Sequence, residues 1–360
     1  MKYALLLILL LPLLATGPAH SQASASGSMN QPADPYRILG NLYYVGASDV
    51  TSFLVATSAG LILIDSGFAE TVPMIRKNVE TLGFKMEDVK ILLNSHAHFD
   101  HAGGLAAIKK QTGARLAASQ ADAALLANGG RGDHLFGDKY PYEPVTADRF
   151  LKDGDRVELG GTTLTAHLTP GHTKGCTTWT MKAKEGGKSY DVVFVCSTTV
   201  LPDVSLTNNA KYPNVAADFE QTFRTLRGLP CDVFLASHAS FYNGLEKAAR
   251  LRKGAAPNPF IDPARYKAYL DRSEKAFRER LAAEKAKDKA AAKTAPVRLL
   301  LDSSVVDPAD DVSIGADDPV AGTVALDGDD AEEGRASARG SDRRSERGEG
   351  EKDEGGGESK

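Results

Sequence analysis

Apolar residues recur along this chain with two periods, and the switch between them marks out strands and helices. Leu61–Asp65 is a continuous apolar run that ends in Asp65-Ser66-Gly67, which predicts a buried strand opening into a loop. Val72, Ile75, Val79 and Leu82 then recur at helical spacing, and Gly83 ends that helix. Val89–Leu93 predicts a second buried strand, Ala102–Thr112 a helix and Ala114–Ala118 a third strand. Ser119 then caps a helix over Ala121–Ala127. Short strands are predicted at Asn41–Val45 and Ser52–Ala56, and further ones at Arg156–Leu159, Thr163–Leu168 and Val233–Ala236. Thr177–Met181 and Val192–Val195 form a hairpin about the polar turn Lys184–Ser189. Asp218–Leu226 reads as a helix. Asp262-Pro263, a capping residue before proline, opens a last helix whose stripe of Tyr266, Leu270, Phe277 and Leu281 packs on the domain. Strands and helices interleave throughout, so the fold class is α/β.

Segments without a period are as telling. Residues 1–21 carry a basic start, a short leucine-rich apolar run and small residues around a cut after Ser21 or Ala23, the signature of a secretory signal peptide. The apolar run is shorter than the roughly 20 residues of a membrane span, so no stable membrane anchor is expected. Residues 22–35 read as a linker, and 36–290 as one domain. Residues 129–148, rich in Gly, Asp, Tyr and Pro, form a long loop of the kind that often serves function. Residues 291–360 are charged and glycine-rich with few large apolar side chains, and are predicted to be disordered.

The formal net charge of −4 offers no concentrated basic surface, which excludes a nucleic-acid partner. The signal peptide sends the chain out of the cytoplasm, to the periplasm or beyond, where a disulfide is stable. Folding the hairpin about Gly186–Gly187 brings Cys176 and Cys196 opposite each other, and a cross-strand bridge is predicted. Cys231 is left as a buried thiol.

The candidate chemistry lies in Asn94-Ser95-His96-Ala97-His98-Phe99-Asp100-His101, between the strand Val89–Leu93 and the next helix. Residues two apart on an extended strand end point the same way, so His96 and His98 can share one ion. At the turn into the helix, Asp100 and His101 can face a second ion. Imidazole and carboxylate without thiolate suit a zinc site open to reaction rather than a structural zinc knot. His172 and His238 also follow buried strands, where a sheet delivers ligands to one edge. A lone histidine is usually structural; these six positions together argue for metal. His134, in the polar loop, and His167, inside a strand, are not expected to be ligands.

The run His96-x-His98-x-Asp100-His101, with His172 and His238 downstream, resembles the metallo-β-lactamase superfamily. That resemblance implies an αββα sandwich with the metal site at one edge of two sheets. Many members carry a metal-bridging Asp in a Gly-Asp-Thr context; this chain has Cys196-Ser197-Thr198 there. His101 together with Ser197 is similar to the third subclass of class B β-lactamases. It implies two Zn2+, one held by His96, His98 and His172, the other by Asp100, His101 and His238. The reaction implied is hydrolysis of a β-lactam amide by zinc-activated water, with no serine or cysteine attack. Asp100 would also orient that water, Ser197 and Thr199 would bind the substrate carboxylate, and Asp65 would anchor a ligating histidine from behind. Two other readings stay open: a dizinc hydrolase of a lactone, thioester or phosphodiester, and a zinc-binding protein without catalysis. The protein is read as a monomer acting on a small molecule.

Overall fold

A computed structural model describes residues 27–294. The predicted signal peptide and the tail beyond Thr294 lie outside the described residues. Two sheets face each other. The first holds β1 (Tyr36–Leu39), β2 (Leu42–Tyr44), β3 (Phe53–Thr57), β4 (Gly60–Ile64), β5 (Val89–Leu93), β6 (Arg115–Ser119) and β7 (Arg149–Leu151), side by side in chain order. Pairing is antiparallel from β1 to β4 and parallel from β4 to β7. The second holds β8 (Arg156–Leu159), β9 (Thr162–Leu168), β10 (Thr177–Glu185), β11 (Lys188–Val195) and β12 (Val233–Ala236), in the order β12-β11-β10-β9-β8. Of these, β11 and β12 run parallel and the rest antiparallel.

Alternation along β4 explains the layers. Ile62 and Ile64 join the core between the sheets with Leu164, Ala166, Trp179 and Phe194 from the facing strands. Leu61 and Leu63 point the other way, as successive strand residues must. They pack with Ile75 and Val79 of α1 (Val72–Thr81), Leu105 and Ile108 of the helix Leu105–Thr112, and Leu126 of the helix Gln120–Ala127. The second sheet is covered on its outer face by the last helix (Pro263–Thr294), whose Tyr266 and Tyr269 rings lie 5.3 and 4.9 Å from Phe234 of β12. The result is the αββα sandwich that the resemblance implied.

Several elements differ from the reading of the sequence. The helix predicted over Ala102–Thr112 is two: α2 (Phe99–Ala102) and α3 (Leu105–Thr112), broken at Gly103-Gly104. A Cβ on Gly103 would sit 2.8 Å from the backbone of Ala69, and one on Gly104 2.8 Å from the carbonyl of Ser66. The glycines let the segment after β4 lie against the turn that carries Asp100 and His101. After these come α4 (Gln120–Ala127), α5 (Val215–Gly228), α6 (Gly244–Arg252) and α7 (Pro263–Thr294). Helix α6 has no sequence signal because it has no apolar stripe: Leu245 is exposed and Ala248 alone of its apolar residues is fully buried. Strands β1 and β7 are too short to show a period. Residues 28–31, read from composition as linker, are tied to the domain, with the Met29 carbonyl accepting from the N–H groups of Asp49 and Val50.

Cys176 and Cys196 are joined by a disulfide, Cα–Cα 5.9 Å, just beyond the ends of β10 and β11. Cys231 is a free, half-buried thiol, and burial pushes its pKa up to about 12. At neutral pH it is therefore protonated and a poor nucleophile. Iodoacetamide should leave the native protein unmodified and add one group after unfolding without reductant. A non-reduced digest should yield Cys176 and Cys196 as one linked peptide pair; finding both alkylated would exclude the bridge.

Candidate metal centre

The loops that follow β5, β9 and β12 carry the histidines, and those that follow β4 and β11 carry Asp65 and Ser197. Ligands of open α/β sheets gather outside the carboxyl ends of strands for this topological reason. His96 and His98 leave β5 in extended backbone. His98 then starts α2, which turns Asp100 and His101 to the neighbouring position. His172 follows β9, and His238 follows β12.

Two sets of donor atoms meet there. Nitrogens of His96, His98 and His172 lie within 4.8 Å of one another, as do the donor atoms of His96, Asp100 and His101. His238 closes the second set. Its Nε2 is 3.3 Å from His101 Nε2 and 3.6 Å from Asp100 Oδ2, and the last two atoms are 3.2 Å apart. Donors about 2.0–2.1 Å from a tetrahedral ion stand about 3.3 Å from each other. The Asp100, His101, His238 set therefore has the spacing that a zinc-sized ion requires.

Behind the donors, each of the five histidines turns its other ring nitrogen to a protein oxygen. Ser95 Oγ gives its proton to Asp65 Oδ2 (2.6 Å) and so accepts from His96 Nδ1 at 3.0 Å. His172 Nδ1 donates to the Thr199 carbonyl at 2.9 Å, and His238 Nδ1 to Asp49 Oδ2 at 3.0 Å. His98 Nε2 faces Asp133 Oδ2 at 3.6 Å, and His101 Nδ1 faces Asp65 Oδ2 at 3.5 Å. For His96, His172 and His238 the hydrogen-bonded oxygen behind the ring fixes its tautomer and leaves the lone pair of the opposite nitrogen free for a metal, whereas His98 Nε2 and His101 Nδ1 face a carboxylate without a hydrogen bond.

Electrostatics act on His96, His172, His101 and Asp100 in the same sense. Burial, helped by the neighbouring rings, holds His96 well below the usual imidazole range, and burial lowers His172 to about 3, so both are neutral donors. Burial alone would lower His101 too, yet Asp100 and Asp65 raise it to about 10. Burial would raise Asp100, but His101 and His238 hold it well below the carboxylate range. A pair of buried carboxylates thus draws positive charge to this spot, which suits a cation.

The other residues singled out in the sequence lie around these donors. Asp65 is 2% exposed, in left-handed backbone (φ 59°) that aspartate tolerates better than most residues. It accepts from Ser95 N, Ser95 Oγ and Asn94 Nδ2. Ser197 is 3% exposed, and its Oγ accepts from Thr199 N at 3.2 Å. Thr199 meets the site through its carbonyl, on His172. His167 lies in β9, bonded to Thr180 Oγ1 at 2.9 Å, away from the cluster. His134 is next to it but not in it, with Nδ1 3.5 Å from Asp133 Oδ2.

Reading the sequence missed Asp49, Asp133 and Asp122. Asp122, in the first turn of α4, is 3% exposed and accepts from Ala97 N, Thr173 Oγ1 and Gly175 N, each at 3.0 Å. Burial pushes its carboxyl up to about 6 against the pull of those donors. It joins the His96–His98 loop to the His172 loop. A Cβ on Gly175 would stand 2.2 Å from Ser119 Oγ and 2.6 Å from the Asp122 carboxyl carbon, so only glycine lets this contact form. The long loop is fastened to the same place: Tyr142 Oη donates to the Ala97 carbonyl at 2.7 Å, and the Phe136 ring stands 5.0 Å from that of His98.

Known proteins agree with this geometry. The profile of the metallo-beta-lactamase superfamily matches residues 45–238. Among solved structures, the native FEZ-1 metallo-beta-lactamase of Legionella gormanii is 45% identical, with 71% of this chain and 98% of that one covered and a TM-score of 0.70. BJP-1, a subclass B3 enzyme of Bradyrhizobium japonicum, is 39% identical, covering 73% and 99% at a TM-score of 0.68. Curated relatives match over shorter spans. A probable metallo-hydrolase of Burkholderia pseudomallei is 29% identical over 39% of this chain and 47% of its own length. A hydroxyacylglutathione hydrolase of Hyphomonas neptunium is 37% identical over 28% of this chain and 32% of its own. The chain thus spans about half or less of the length of these curated relatives. Profile, fold and histidine rim coincide on one stretch, and the chain belongs to the metallo-beta-lactamase superfamily.

Proposed function

We propose that the protein is an exported dizinc β-lactamase that opens the amide bond of β-lactam antibiotics. One observation carries this reading: five histidines, three of them buried and two partly buried, converge with Asp100 on two adjoining donor sets. His96, His98 and His172 would hold one Zn2+, and Asp100, His101 and His238 the other. Zinc bound there would supply Lewis acidity, for activating water at neutral pH and polarising the scissile carbonyl. The remaining work falls to the chain. Asp100, ionised and flanked by His101 and His238, is an acceptor that can orient the attacking water. Asp65 and Asp49 hold the rings of His101 and His238 in register. Phe136, Phe99 and Tyr140 form an aromatic cluster beside His98, the last two stacked at 4.3 Å. Ser197 and Thr199, at the rim after β11, are the candidates to receive the substrate carboxylate.

Solved relatives that are β-lactamases support the substrate class, and one of them, LRA-12 at 37% identity, is a class B3 di-zinc metallo-beta-lactamase. The hydroxyacylglutathione hydrolase matches favour a second reading, a thioesterase. Ser197 counts against it, since a buried hydroxyl bonded to the Thr199 amide cannot bridge two metals as a carboxylate does. The disulfide fits an oxidising compartment, and no described helix is long and apolar enough to cross a membrane. The zinc-loaded protein is expected to hydrolyse at least one of a penicillin, a cephalosporin and a carbapenem, and to stop when chelated. Turnover of an S-acylglutathione with no β-lactam cleaved would transfer the assignment to the thioesterase.

A further inference from the structure

A cavity of about 440 Å³ adjoins the histidine cluster without including any of its six donors. That volume falls within the roughly 300–1,000 Å³ of small-molecule sites. Its lining includes Ala121, Ala124 and Leu125 from one face of α4, and Arg131, His134 and Lys174. Asp122 and Asp133 also reach it, but both carboxylates are already engaged. Asp122 has the three donors named above, and Asp133 accepts from the N–H groups of Leu135 and Phe136 at 2.9 and 2.7 Å. Arg131 and Lys174 are the charged groups of the lining that the protein's own hydrogen bonds leave open. Among the described residues, neither Arg131 nor Lys174 forms an ion pair, and Lys174 Nζ lies 5.4 Å over the Tyr212 ring.

His134 supplies the second observation. Its side chain is 4% exposed, its ring packs edge-on to Tyr212 at 5.1 Å, and its Nε2 is buried with no hydrogen-bond partner. Buried polar atoms in native proteins are nearly always satisfied, so an orphan of this kind points to a missing partner. Nδ1 faces Asp133, which makes Nε2 the atom available to a ligand.

We propose that this cavity binds a small organic carboxylate, its anionic end held by Arg131, Lys174 and His134 Nε2 and its apolar body against α4. Asp133 Oδ2 stands between His134 Nδ1 (3.5 Å) and His98 Nε2 (3.6 Å), so the occupant would sit one carboxylate away from a metal-facing ring. The site is independent of which amide or ester the metal centre cleaves.

Benzoate is a suitable probe, titrated into the zinc-loaded full chain by calorimetry. Saturable one-site binding is expected, weakened at least tenfold by the double substitution Arg131→Glu/Lys174→Glu. Both residues are exposed, so the fold should tolerate the change. His134→Phe keeps the ring against Tyr212, removes the nitrogen, and should weaken benzoate as well, with zinc content unchanged. Absence of saturable binding would overturn the proposal. So would affinity equal to that of the parent in both variants, since benzoate would then sit elsewhere, the metal centre included.

Discussion

Replacing His172 with alanine should release one zinc equivalent per chain and lower β-lactam turnover by more than 100-fold. The reasoning starts from the donor sets. His96, His98 and His172 form one of them, and His172 alone of the three comes from outside the His96–His101 segment. Three protein donors are what a catalytic zinc keeps while leaving a position open. Two donors cannot hold the ion against water at ordinary concentrations. Losing a residue behind a ligand costs about 10–100-fold in metal affinity or activity, and losing the ligand itself must cost more. The same substitution at His238 should release the other ion. His167→Ala is the internal control, because His167 lies in β9 with Thr180 as its partner. It should leave zinc content and rate unchanged. Elemental analysis after dialysis, with circular dichroism to verify folding, checks all three variants. A folded His172→Ala protein with both zincs in place would refute the ligand set.

How much of this was legible in the sequence depended on the range of the signal. The buried strands announced themselves because each is a continuous apolar run stopped by a polar cluster, as in Leu61–Asp65. The six candidate donor positions stand out in the sequence because His and Asp crowded at strand ends make poor packing material. Asp65 could be picked out because it ends a buried strand. Asp49 could not: it sits in an ordinary turn, and its partner His238 is 189 residues away. Asp133 lay in a loop with no period, and only the folded loop brings it to His98. Asp122 looked like a routine acidic residue in the first turn of a helix. Its carboxylate instead faces inward to loops 25 and 51 residues away. Periodicity reports which face is apolar and does not report which buried polar groups will find each other. Helix α6 was missed for another reason, since its inward face of Gly244, Lys247, Ala248 and Leu251 holds a single large apolar residue.

Asp122→Ala should then be the most damaging change outside the donors themselves. The carboxylate satisfies three buried donors, Ala97 N, Thr173 Oγ1 and Gly175 N. Ala97 stands between two ligand histidines, and Thr173 follows a third. Each donor left unpaired costs about 1–3 kcal/mol, so the loss should total roughly 3–5 kcal/mol, comparable to breaking a buried charged contact. For a domain of this size, 1 kcal/mol is about 2–4 °C in Tm, and a fall of roughly 10 °C is expected by calorimetry. The metal should respond as well, because the two loops that bring His96, His98 and His172 together would no longer share an anchor. Zinc affinity should fall by about 10–100-fold. Asp122→Asn separates packing from hydrogen bonding: it keeps the shape but turns an amide NH2 toward one of the three donors. It should therefore lie between the parent and alanine in both Tm and zinc affinity. An alanine variant with the parent's Tm would show that the three donors find other partners. A large drop in Tm with unchanged zinc affinity would show that Asp122 supports the fold and not the register of the histidine loops.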